Sequence, residues 1–134
     1  NAALLEALDA GKVACAALDV WENEPEISTA LLNKVYIATP HIAGYSAEGK
    51  MNATLIVLRE FARFAGLGNK LQVPALEQPQ QSVVKAATEQ DAFLAIYSPL
   101  DDSVLLKNAP GEFESLRNNY ALRRETSAYR IEIV

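Results

Sequence analysis

The spacing of apolar residues changes along the chain, and each change marks an element. Leu4, Leu5 and Leu8 form a stripe at three- and four-residue steps. Asn1 can cap a helix there and Gly11 can stop it. Val13 to Val20 is small, apolar and nearly unbroken, the pattern of a parallel strand buried on both faces. Trp21 to Ser28 turns polar around Pro25 and reads as a loop. Thr29 to Leu32 suits one helical turn. Val35 to Ala38 suits a second short strand, stopped by Thr39-Pro40. Ser46 opens the longest helix, with Met51, Leu55, Leu58, Ala62 and Ala65 on one face and Gly66 and Gly68 at its end. Helix, strand, loop and strand in this order predict an open α/β sheet near its end.

Residues 69–82 break the pattern. Pro74, Pro79 and the glutamines Gln72, Gln78, Gln80 and Gln81 predict a linker, and a domain boundary is placed there. Beyond it, Val83 to Ala86 can be a strand. Thr88-Glu89-Gln90-Asp91 resembles a capping box that opens a helix through Ile96, with Pro99 and Asp101-Asp102 as breakers. Phe113, Leu116 and Tyr120 share a helical face, and Tyr129 to Val134 alternates as a final strand. About 60 residues of mixed α and β rarely bury enough apolar area to stand alone, so this segment is expected to dock on a second subunit.

Composition narrows the function. Half of the 134 residues are hydrophobic, enough for a core. A net charge of −5 argues against nucleic acid, whose binders carry a basic face. No apolar run is long enough to span a bilayer. The lone Cys15 excludes an internal disulfide and a cysteine-based zinc site; in its apolar run it reads as a buried structural thiol. No metal is expected, and a reducing cytoplasm is the expected compartment.

Chemistry concentrates around the single histidine. His41 follows Thr39-Pro40 at the carboxyl end of a predicted strand, where open α/β sheets bind ligands. Imidazole takes and returns a proton near neutral pH, as oxidation of a secondary alcohol requires. A carboxylate beside it would favour the charged ring and fix its orientation, and Glu22, Glu24 and Glu26 are all within range. Asp19 ends its strand either as a ligand contact or as a turn cap. Gly44 either serves a turn or lets a ligand approach the backbone. Tyr45 either packs or offers a hydroxyl to substrate. The helix opening at Ser46 is expected to turn its N-terminus toward this region.

Two segments carry a resemblance. Leu18-Asp19-Val20-Trp21-Glu22-Asn23-Glu24-Pro25, followed by Thr39-Pro40-His41-Ile42-Ala43-Gly44-Tyr45, resembles the C-terminal half of the cofactor domain in the D-2-hydroxyacid dehydrogenases. The resemblance selects Glu24, whose counterpart directly precedes the proline. It implies His41 as general base, Glu24 as its partner, Asp19 and Gly44 at NAD, and Tyr45 at the substrate. The run from Gly111 to Tyr120, with Arg123-Arg124-Glu125, is similar to a dimerisation domain within the same family.

The implied fold is α/β: the C-terminal part of a Rossmann-like NAD-binding domain (1–45), a return helix of the substrate domain (46–68), the linker (69–82) and a small α+β dimerisation domain (83–134). The implied reaction is NAD-dependent oxidation of a small phosphorylated 2-hydroxy acid by a homodimer. The family's glycine-rich phosphate loop and substrate-clamping arginine are expected upstream of residue 1, and the chain alone is expected to be inactive. Arg117, Arg123 and Arg124 are weighed as phosphate ligands and set aside in favour of surface arginines paired with Glu114 and Glu125. Other readings are a dehydrogenase for another 2-hydroxy acid, such as 3-phosphoglycerate, or a dehydrogenase-like interaction protein without turnover.

Overall fold

The computed structural model describes residues 1–68 and 72–134. The beginning of the expected linker therefore lies outside the described residues. The elements run α1 (Ala2–Asp9), β1 (Ala17–Leu18), α2 (Thr29–Lys34), β2 (Ile37–Ala38), α3 (Ala47–Phe64), β3 (Val83–Ala86), α4 (Glu89–Ile96), α5 (Pro99–Asn108), α6 (Phe113–Asn118) and β4 (Arg130–Ile133). They form two compact units, one of residues 1–43 and 97–121, the other of residues 44–96 and 122–134.

In the first unit β1 and β2 pair in parallel, Ala17 opposite Ile37 and Leu18 opposite Ala38. Its core gathers Trp21, Ile27, Leu31, Leu32, Val35 and Ala38 with Leu106 of α5 and Phe113 of α6. Leu4, Leu5 and Leu8 of α1 pack against this cluster, as their stripe predicts. Leu106 and Phe113 are essentially fully buried, which stabilises by about 1.5–3 kcal/mol each. Two polar contacts fasten α5 to β2. Ser103 Oγ accepts from the Ala38 N–H at 3.0 Å, and Lys107 Nζ donates to the Val35 and Tyr36 carbonyls at 2.7 and 3.2 Å.

Several expectations change here. Only Ala17–Leu18 of the apolar run forms strand, and Cys15 is exposed rather than buried. Ala17 is exposed and Leu18 half-buried, so the run is not buried on both faces. α4 ends at Ile96 as expected, but Pro99 also opens a further helix, α5, where only breakers were expected. Proline lacks only an N–H that the first turn leaves unpaired, and Asp101 and Asp102 beside it favour the positive helix start. Within the segment 83–134, residues 97–121 belong to the unit of residues 1–43 and the rest to the other unit. Leu106, Phe113 and Leu116 bury against the α/β core, and that apolar gain decides the division. α6 ends at Asn118, so Tyr120 lies beyond the helix that holds Phe113 and Leu116.

In the second unit β3 and β4 pair in parallel over residues 83–86 and 130–133, with Val84 opposite Ile131. Thr88 caps α4 as expected: its hydroxyl donates to Asp91 Oδ2 at 2.7 Å and accepts the Asp91 N–H at 3.1 Å. Ser46 caps α3, its hydroxyl accepting the Gly49 N–H at 2.9 Å. Leu55 and Ala62 face inward, while Ile56, Val57, Phe61 and Phe64 stand exposed. Gly66 and Gly68 follow α3 in the left-handed region, as a helix end requires. No helix among the described residues is long and apolar enough to cross a membrane.

Candidate active site

β1 and β2 end side by side, and the loops that leave them carry Asp19, Glu24 and His41. Asp19 ties the two loops together. Its Oδ1 accepts from Thr39 Oγ1 and from the Ile42 N–H, both at 2.7 Å, and its Oδ2 accepts the Ala43 N–H at 3.0 Å. A carboxylate has about four lone-pair positions, so one is left to accept from a ligand amide. Trp21 braces the same loops from beneath, its buried indole N–H donating to the Thr39 carbonyl at 3.0 Å.

Glu24 and His41 meet. Glu24 Oε2 lies 2.8 Å from His41 Nδ1, and Glu24 Oε1 accepts the Trp21 N–H at 2.7 Å. Partial burial pushes the Glu24 carboxyl up, but the His41 hydrogen bond, the Trp21 N–H, the charge on His41 and the charge of Arg117 outweigh it. The carboxyl is held below its ordinary value. An ionised carboxylate can only accept, so Nδ1 carries the proton in this contact. In the neutral ring, Nε2 is then an acceptor, the form that a base needs. The carboxylate paired with His41 is Glu24 rather than Glu22 or Glu26.

His41 has φ +56°, in the left-handed region that few side chains adopt. Such backbone costs on the order of 1–3 kcal/mol and persists where its surroundings impose it. Here the Asp19 carboxylate holds the next two N–H groups, Ile42 and Ala43, which fixes the turn.

Gly44 and Tyr45 belong to the second unit and are described within it. A Cβ on Gly44 would meet nothing within 4 Å. Tyr45 stands before α3 with the Lys50 ammonium 3.5 Å from its ring centroid, a cation–π contact. Of the arginines, Arg117 lies in α6 and its charge reaches Glu24. Arg124 pairs with Glu48 at 2.7 Å, where Glu114 and Glu125 had been the expected partners. Sequence reading missed Thr39 and Ser103 at this site and weighed Arg117 only as a phosphate ligand. Thr39 was visible only as part of a strand stop, and the other two lie in helices far along the chain.

The arrangement sets one imidazole base against an ionised carboxylate, the pairing that general acid–base chemistry uses. Comparison with known proteins agrees in class. Residues 1–43 match the family described as D-isomer specific 2-hydroxyacid dehydrogenase, NAD binding domain. The match is a likeness of this segment, about a third of the chain, to the NAD-binding domains of that family. Nearly the whole chain is similar to particular members. It is 50% identical over 131 residues, 98% of the chain, to the erythronate-4-phosphate dehydrogenase of Bacteroides fragilis. It is 48% identical over 96% of the chain to that of Bacteroides thetaiotaomicron, and 42% over 98% to that of Serratia proteamaculans. The chain spans 37% of the length of the two Bacteroides proteins and 38% of the Serratia one.

Proposed function

We propose that this chain supplies the proton-transfer half of an NAD-dependent dehydrogenase that oxidises 4-phospho-D-erythronate to its 2-oxo acid, a step of pyridoxal 5'-phosphate (vitamin B6) biosynthesis. The observation that carries the reading is the 2.8 Å contact of Glu24 with His41 Nδ1, which leaves Nε2 as the acceptor. His41 Nε2 takes the proton of the C2 hydroxyl as the carbonyl forms, and gives it back in reduction. Glu24 holds the ring in that tautomer and stabilises the imidazolium. NAD, when bound, accepts the hydride of the C2 carbon. Asp19 and Gly44 serve NAD, and Tyr45 serves the substrate.

The substrate assignment rests on the names of the relatives and on the run from Gly111 to Arg124. The domain reading stays as proposed from sequence: an NAD-binding part over 1–45, a return helix over 46–68, a linker over 69–82 and dimerisation residues within 83–134. The exposed apolar residues of α3, Ile56, Val57, Phe61 and Phe64, supply a face of the kind that further chain or a second subunit covers.

The test is NADH formation by this chain carried in a polypeptide of the relatives' length, with 4-phospho-D-erythronate against 3-phosphoglycerate. A clear preference for the first supports the reading. Equal or reversed preference keeps the Glu24–His41 chemistry and removes the substrate. NAD binding without turnover on either would favour a non-catalytic interaction protein.

A further inference from the structure

We propose that Arg124, acting through Glu48, is a positioning residue that holds the Gly44–Tyr45 turn in shape for cofactor and substrate. The proposal rests on the reading above that this turn meets both ligands.

The turn is closely built. Ser46 is fully buried, and its hydroxyl closes the first turn of α3 on the Gly49 N–H. A Cβ on Gly49 would lie 2.8 Å from Ser46 Oγ and 2.9 Å from the Gly44 carbonyl oxygen. No side chain fits there, so the Gly44 carbonyl rests directly against the helix start.

Residues 123–125 grip this turn from far along the chain. Ser46 and Arg123 form a parallel bridge, and the Ala47 N–H donates to the Arg123 carbonyl at 2.9 Å. Arg124 Nε donates to Glu48 Oε1 at 2.7 Å, and the Glu125 N–H donates to Glu48 Oε2 at 3.0 Å. Arg124 Nη1 also donates to the Glu77 carbonyl. Both partners of the ion pair are mostly shielded, with side chains 18% and 17% exposed, so the pair is stronger than a surface one. Partial burial raises the Glu48 carboxyl, yet the Glu125 N–H, Arg124 and its own N–H bring it below its ordinary value. Among the described contacts with α3 and its cap, this grip falls on residues 46–48, at the start of a helix that runs on to Phe64. Loosening it therefore moves the turn that carries Gly44 and Tyr45.

The test uses Arg124→Ala, Arg124→Lys and Glu48→Gln in a polypeptide of the relatives' length, with amide hydrogen exchange and steady-state kinetics. Arg124→Ala and Glu48→Gln are expected to speed exchange over residues 44–49 by about tenfold or more and to leave β3 and β4 unchanged. KM for 4-phospho-D-erythronate and NAD should rise by about 10- to 100-fold, with kcat within about threefold. Arg124→Lys, which keeps the charge and loses the fork, should fall between. Unchanged exchange over 44–49 overturns the grip. Faster exchange with unchanged KM overturns the positioning role. If the parent protein turns over no substrate, the functional reading falls by itself, and the exchange result still decides for or against the grip.

Discussion

Glu24→Gln is the sharpest probe of the candidate site. The change keeps the shape and removes the charge. Oε1 faces the Trp21 N–H at 2.7 Å and Oε2 faces His41 Nδ1 at 2.8 Å. The Trp21 amide can only donate, so the glutamine carbonyl must turn toward it. The glutamine NH2 then meets Nδ1, which must become the acceptor, and the ring proton moves to Nε2. That tautomer cannot take a proton from the substrate at Nε2. Returning to the working tautomer gives up one neutral hydrogen bond and sets two donors face to face, about 2–4 kcal/mol together. At about 1.4 kcal/mol per tenfold, kcat for alcohol oxidation should fall about 30- to 1,000-fold. The loss of ion pairing adds little, because the His41 side chain is 40% exposed and water screens the pair. The assay is NADH formation between about pH 5 and 9, beside NAD titration, for the parent, Glu24→Gln and His41→Asn. NAD affinity should persist in both variants. The tautomer argument also requires that the Glu24→Gln deficit remain at high pH, since removing protons from solution does not move the one on Nε2. Activity within about threefold of the parent, or full recovery at high pH, would refute it.

Gly44→Ala should leave the melting temperature unchanged, since the added methyl meets nothing within 4 Å, yet raise KM for NAD about tenfold if the cofactor passes there; unchanged KM would remove Gly44 from the NAD site. Ser103→Ala strands the buried Ala38 N–H, and urea unfolding should show a loss of about 1–3 kcal/mol. Stability should weaken toward acid in a defined window. Glu24 and Glu48 both have folded pKa values below the unfolded one, so their stabilisation is complete above about pH 4.3 and is lost as pH falls through the folded values. Denaturation curves between about pH 2 and 6 should therefore be flatter for Glu48→Gln than for the parent.

How much of this was legible in the sequence depends on the range of the interaction. α3 and α4 follow from caps and stripes a few residues long, and both form where Ser46 and Thr88 predict. His41 stood out by its place at a strand end, whereas Glu24 was separated from Glu22 and Glu26 only by the family resemblance. Pro99 misled, because a proline that ends one helix and a proline that begins the next look alike until the first-turn aspartates are given their due. The partners of the carboxylates were not legible at all. Asp19 binds groups 20 to 24 positions away, and Glu48 binds groups 76 and 77 away. No periodicity encodes such distances.

The same limit applies to α5 and α6. Leu106 and Phe113 would look identical in sequence whichever core they joined. What assigns them to the first unit is packing, together with one polar bond that only that core can satisfy. β2 has its parallel partner β1 on one side, and the Ala38 N–H is closed by Ser103. Without that hydroxyl a buried donor would sit three residues before His41, at the strand end from which the left-handed turn departs. Helix α5 thus completes the strand that carries the histidine. The local pattern marks the strand end before His41, and a helix some 60 residues onward encodes the hydroxyl that closes the backbone of that strand.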